Sequence, residues 1–126
     1  MKKILVVDDE PDFANLVVSQ LKKANYKVDV AYDGASALRK MRLKKPDAVV
    51  LDVMMPEIDG WALCKKMKAD KDLSSIAVLM LTCVADHVMS TKYSHFDGMS
   101  TEADDYLAKP ATSEDILNSL KSLIGE

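Results

Sequence analysis

At 126 residues and a formal net charge of −3, the chain is sized for one domain with its own core, and its scattered Lys and Arg leave no basic footprint for nucleic acid. No apolar run reaches the length of a membrane span, and the segment after Met1-Lys2-Lys3 is too short for a secretory h-region. The two cysteines, Cys64 and Cys83, lack metal or disulfide spacing, which fits a reducing, cytoplasmic setting.

Short apolar runs alternate with helical periodicity, the pattern of a parallel sheet covered on both faces. The first strand is expected at Lys3–Val7. A helix follows Pro11 and sets Phe13, Leu16, Val17 and Leu21 on one face. Lys27–Ala31 reads as the second strand, and Gly34–Lys44 as a helix with Ala37, Leu38 and Met41 inward. Ala48–Leu51 is the third strand, and Gly60–Ala69 a helix burying Leu63, Cys64 and Met67. Ala77–Leu81 is the fourth strand and Tyr106–Ala108 the fifth. The last helix starts after Thr112, an N-cap residue, and buries Ile116, Leu120 and Leu123. The methionines read as core filler. Between Cys83 and Glu102 the pattern weakens. Ser90, Thr91, Ser94, Gly98, Ser100 and Thr101 are poor helix-interior residues. Val88, Met89, Tyr93 and Phe96 still form a thin stripe, so a short, displaced or irregular fourth helix is expected there. There is no linker or repeat. One domain over residues 1–126 is expected, with no output domain after the last helix.

Four of the strands deliver a polar group at the carboxyl end: Asp8-Asp9, Asp52, Thr82 and Lys109-Pro110. The crevice outside those ends is where an open parallel sheet binds ligands. Singly, each has a bland explanation. Aspartate is common in turns, Asp8-Asp9 precedes Pro11 at a helix start, and threonine is an ordinary strand residue. Together, three carboxylates repel one another unless a hard cation sits among them. Mg2+ or Mn2+ with an oxygen shell suits such a cluster, with Asp9 and Asp52 as direct ligands and Asp8 acting through water. The Asp52 carboxylate can serve as a nucleophile that accepts a phosphoryl group. Lys109 then supplies a point charge and Thr82 a hydroxyl donor to the phosphoryl oxygens. Glu10 reads as a helix-start acid with a supporting role near the metal. His87 and His95 fit no zinc spacing.

Val6-Val7-Asp8-Asp9-Glu10, Leu51-Asp52-Val53-Met54-Met55-Pro56 with Asp59-Gly60, Leu81-Thr82, and Ala103-Asp104-Asp105-Tyr106-Leu107-Ala108-Lys109-Pro110 occur in this order. They resemble the receiver domain of bacterial two-component response regulators, the CheY-like family, over essentially the whole chain. The resemblance implies a single doubly wound (βα)5 domain, flavodoxin-like, with a five-stranded parallel sheet in the order 2-1-3-4-5. It implies Asp52 as phosphoacceptor and the Met54 backbone carbonyl as a further metal ligand. It also implies a cis Lys109–Pro110 bond and a switch in which Thr82 moves toward the phosphoryl group while Tyr106 turns inward. The bland alternative for Tyr106 is a half-buried edge-strand aromatic. Partners would be a sensor histidine kinase or histidine phosphotransfer protein and an output partner of unknown identity. The domain would promote only its own phosphorylation and dephosphorylation, not turnover of a separate substrate.

The chain departs from the family at Cys83, where a very small residue is usual, and at Glu102, where glycine is common. The interval between Thr82 and Lys109 is also about five residues longer than expected, a change that surface segments tolerate. These departures leave the acceptor set intact and bear on output. The alternative function is a degenerate receiver that scaffolds without phosphorylation. A haloacid-dehalogenase-type phosphatase is disfavoured because Met54 stands where its second aspartate belongs. A flavodoxin-like electron carrier would need a phosphate loop after the first strand, which is absent from the sequence.

Overall fold

The structure is a computed structural model that describes residues 2–52, 60–82, 103–108 and 112–125. Its strands are β1 (Lys3–Val7), β2 (Lys27–Ala31), β3 (Ala48–Asp52), β4 (Ala77–Thr82) and β5 (Asp105–Ala108). Its described helices are α1 (Pro11–Lys23), α2 (Gly34–Leu43), α3 (Gly60–Ala69) and α4 (Ser113–Ile124). The helix expected between Cys83 and Glu102 falls outside the described residues, together with Met54, His87, His95, Lys109 and Pro110. The side chains of Trp61 and Thr82 do so as well.

All five strands are parallel and lie in one sheet in the order β2-β1-β3-β4-β5. This is the doubly wound α/β arrangement expected from the sequence. The strand bounds agree with the sequence except at three ends: β3 runs on to Asp52, β4 to Thr82, and β5 begins at Asp105. The polar residues at the ends of β3 and β4 are therefore held within the ladder.

Side chains alternate across the sheet, so each central strand feeds two cores. Leu5, Val7, Val49, Leu51, Val78 and Met80 pack with Ala37 and Met41 of α2 and with Leu63, Cys64 and Met67 of α3. Ile4, Val6, Val50, Leu79 and Leu81 pack with Ala14, Val17 and Leu21 of α1 and with Ile116 and Leu120 of α4. Met41, Met67 and Met80 are buried, as core filler should be. One expected core residue is not in the core: Leu16 is 55% exposed. The buried stripe of α1 is Ala14, Val17 and Leu21, spaced by three and four positions. Leu16 sits about 100° round the helix from Val17 and leaves that stripe.

Local signals set the helix ends. Pro11 opens α1, where its missing N–H costs nothing. Asp33 caps α2 by accepting the Ser36 N–H at 2.7 Å. Thr112 and Asp115 form a reciprocal capping box at α4, which ends on Gly125 in the left-handed region at φ 73.

Candidate functional site

The carboxyl ends of β1, β3 and β4 lie side by side at the centre of the sheet. The register sets Val7 beside Leu51, Asp52 beside Leu81, and Thr82 beside Ala108. Asp8 thus follows in the position next to Asp52, about 5 Å away across the strand spacing. Thr82 lies one step past the β4 neighbour of Asp52, and Lys109 is the next residue in the chain after Ala108.

Asp8 and Asp52 are enclosed, at 1% and 3% exposure. The Asp8 backbone N–H donates to the Ala31 carbonyl at 3.1 Å, which continues the β1–β2 ladder by one residue. Its Oδ1 accepts the Glu10 N–H at 2.9 Å, a local turn that steers the chain into α1, with Glu10 as N-cap residue and Pro11 in the first turn. Asp8, Asp9 and Glu10 each bring one carboxylate oxygen within 4.8 Å of the others. Glu10, given only a supporting role from sequence, therefore belongs to the acidic cluster itself.

Buried, adjacent carboxylates disfavour one another's charged forms. The all-oxygen set of Asp8, Asp9 and Glu10, with one member buried and two open to water, fits a hard divalent cation that keeps part of its water shell. Of the expected site residues, the structure brings Asp8, Asp9 and Asp52 to one end of the sheet. The Thr82 backbone lies in β4, while its side chain, Met54 and Lys109 lie outside the described residues. Tyr106 lies on the edge strand β5 and is 36% exposed.

Two features at the amino ends of β4 and β5, away from the site, carry no role in the sequence reading. Lys68 Nζ donates to the Ile76 carbonyl and to Asp104 Oδ2, each at 3.0 Å. The same Asp104 oxygen accepts the Val78 N–H at 2.8 Å, and the Asp104 N–H donates to the Val78 carbonyl at 2.9 Å. One lysine and one aspartate thereby tie the end of α3 to the start of β4 and the entry to β5. The buried Ser119 hydroxyl of α4 donates to Asp105 Oδ2, fastening α4 to β5 just before Tyr106. The Asp104-Asp105 pair was visible as a motif, but nothing in the sequence named its partners 36 and 14 positions away.

The response regulator receiver domain family matches residues 4–121, and the chain belongs to that family. It is a receiver domain of two-component signalling, a CheY-like module of the kind that signals rather than turns over substrate. It is 38% identical over 126 residues to the alkaline phosphatase synthesis transcriptional regulatory protein PhoP of Bacillus subtilis, covering 98% of this chain and 48% of that one. The chain spans about half the length of the first curated relatives it matches. A response regulator structure from Chloroflexus aurantiacus superposes with a TM-score of 0.85 at 33% identity, covering 99% of this chain and 98% of that chain. The receiver domain of a sensor histidine kinase from Pseudomonas aeruginosa gives a TM-score of 0.84 at 25% identity, covering 99% and 98%; that structure has a magnesium ion coordinated in its active-site cleft. Among the described residues of this chain, no helix is long and apolar enough to cross a membrane.

Proposed function

We propose that Asp52 accepts a phosphoryl group from a sensor histidine kinase or a histidine phosphotransfer protein, and that the acyl phosphate switches the domain between two conformations read by an output partner. The observation that carries this reading is the enclosed Asp52 at the end of the central strand, set by register beside the enclosed Asp8 and the acidic turn after β1. An Asp52 oxygen attacks phosphorus, the bond from phosphorus to the donor imidazole breaks, and an acyl phosphate forms. Phosphoryl transfer asks the protein mainly for alignment and charge neutralisation. Asp8, Asp9 and Asp52, with Glu10 and the Met54 carbonyl, would hold Mg2+ or Mn2+. The bound ion would neutralise phosphoryl oxygens on one side. Lys109 would neutralise them on another, and Thr82 would donate its hydroxyl. Tyr106 would follow Thr82 inward as the switch. The domain over residues 1–126 would act in the cytoplasm, turning over only its own phosphoryl group.

The test is treatment with a small phosphodonor, with and without Mg2+, followed by borohydride trapping and mass spectrometry. The label is expected on Asp52 alone, only with the divalent ion, and absent from Asp52→Asn. Undiminished labelling of Asp52→Asn would falsify the assignment. Partner binding that persists with no labelling of wild type would favour the phosphorylation-independent scaffold.

A further inference from the structure

We infer that the end of the sheet remote from the acidic turn carries a second, unassigned ligand site: a lysine-rimmed cavity that binds a small phosphorylated organic molecule. The cavity, of about 220 Å3, lies between the starts of β1 and β2 and the last turns of α2. Lys3 and Lys27 stand opposite each other in the β1–β2 register, Lys40 lies in the last turn of α2, and Lys44 is the extended residue that caps its end. Because the strands are parallel, the cavity lies about 16 Å below Asp8, the rise of five strand residues.

Its charge is the reverse of the domain's. The chain carries −3 overall, yet four lysines line the cavity against one carboxylate, Asp29. That carboxylate is already engaged. Its Oδ1 lies 3.3 Å from Lys40 Nζ and accepts the Val30 N–H at 2.8 Å, while Lys40 also donates to the Val30 carbonyl. The neighbouring Asp47 turns an oxygen to the Lys3 backbone N–H at 2.8 Å. Among the described residues, no carboxylate forms an ion pair with the ammonium groups of Lys3, Lys27 or Lys44.

On this face of the sheet, Leu5, Val7 and Ala31 fill the space under α2. Further toward the strand starts, Lys3, Lys27 and Asp29 follow on the same face, with Lys27 and Asp29 exposed at the sheet edge, so the packed layer gives way to an open groove.

The lining also selects the ligand. Ammonium groups act as point charges toward phosphate. Leu5 and Pro46, with the lysine stems, offer apolar surface to a short carbon skeleton. The volume lies below that of typical drug-sized pockets, roughly 300 Å3 and up, and suits a ligand about the size of a sugar phosphate.

The experiment is an amide-resolved NMR titration of the full chain with ribose 5-phosphate at fixed ionic strength. EDTA is present, so that metal-dependent binding at the opposite end does not compete. Saturable shifts are expected at Lys3, Leu5, Lys27 and Lys44 but not at Asp8 or Asp9, with inorganic phosphate binding more weakly. Lys27→Gln with Lys44→Gln should weaken binding by about tenfold or more without lowering the melting temperature of the ligand-free protein. Lys65→Gln with Lys66→Gln, on the exposed side of α3, should leave binding unchanged. The inference is overturned by no saturable shift up to about 10 mM, by equal weakening in the α3 pair, or by shifts confined to the carboxyl ends of the strands. Binding of a poly-glutamate peptide with neither phosphate probe would overturn it in favour of an acidic protein partner.

Discussion

β2 and β3 are both five-residue strands paired in parallel with β1, and each contains an aspartate, yet they have opposite characters. Every residue of Ala48–Asp52 is buried, whereas Lys27–Ala31 alternates between exposed and partly buried before closing on Ala31. The difference follows from place. β3 is central and covered on both faces, so it reads as a continuous apolar run; β2 is an edge and keeps one half-open face. Asp29 sits with its side chain 66% exposed beside Lys40, while Asp52 is 3% exposed beside Asp8. A surface pair such as Asp29–Lys40 is worth little either way. An enclosed carboxylate next to another costs free energy, and such residues persist where their chemistry is used.

The largest effect should come from the packing half of this contrast. Leu51→Ala empties a fully buried site against α2 and α3, and should cost about 2 to 5 kcal/mol. Val28→Ala, on the partly buried edge strand, should cost on the order of 1 kcal/mol. Urea denaturation of both variants reads the gap directly. Equal losses would mean that β2 is as integral to the core as β3.

The next effect concerns the two aspartates. With EDTA present, Asp52→Asn removes one of two adjacent enclosed charges while keeping the side-chain shape. It should raise stability, by on the order of 1 to 2 kcal/mol. Asp29→Asn should shift stability by no more than about 0.5 kcal/mol. Adding Mg2+ should then stabilise wild type by mass action and Asp52→Asn much less. Thermal melts with and without the ion distinguish the cases. If Asp52→Asn melts lower than wild type in EDTA, the fold itself already compensates that charge.

The sequence carried the fold further than the site's surroundings, for physical reasons that individual residues show. Continuous apolar runs such as Ala48–Leu51 can only be buried strands here, and Thr112 announced its cap, so most element bounds were legible. Leu16 was misplaced because apolar character alone does not say where the buried stripe of a helix begins. The meeting of the acids at one end of the sheet was legible once the resemblance supplied the strand order 2-1-3-4-5, while the register that sets Asp8 next to Asp52 is a tertiary fact. The Lys68–Asp104 clasp and the grouping of Lys3, Lys27, Lys40 and Lys44 are tertiary, and no local rule connects residues so far apart in the chain.

Asp70, in the turn after α3, offers a third kind of carboxylate and the smallest expected effect. Its Oδ1 accepts the Asp72 N–H at 2.8 Å, and its Oδ2 lies 2.9 Å from Arg42 Nη2 of α2. The hydrogen bond from Asp72 leads in holding its pKa below the usual 3.8, the loss of water opposes it, and Arg42 adds to the lowering. A carboxyl that titrates lower in the folded than in the unfolded state lends stability above its unfolded pKa. That stability is lost as pH falls through the folded value. Asp70→Asn should therefore melt slightly below wild type at neutral pH, and the gap should close as pH drops below 3.8. Melts of both proteins from neutral pH to about pH 3 follow the gap. The amide keeps an oxygen for the Asp72 N–H, so a gap that stays constant into acid would trace to lost packing or geometry and not to charge. A closing gap sets Asp70 above the solvent-screened Asp29: it stabilises because the Asp72 N–H and Arg42 favour its charge.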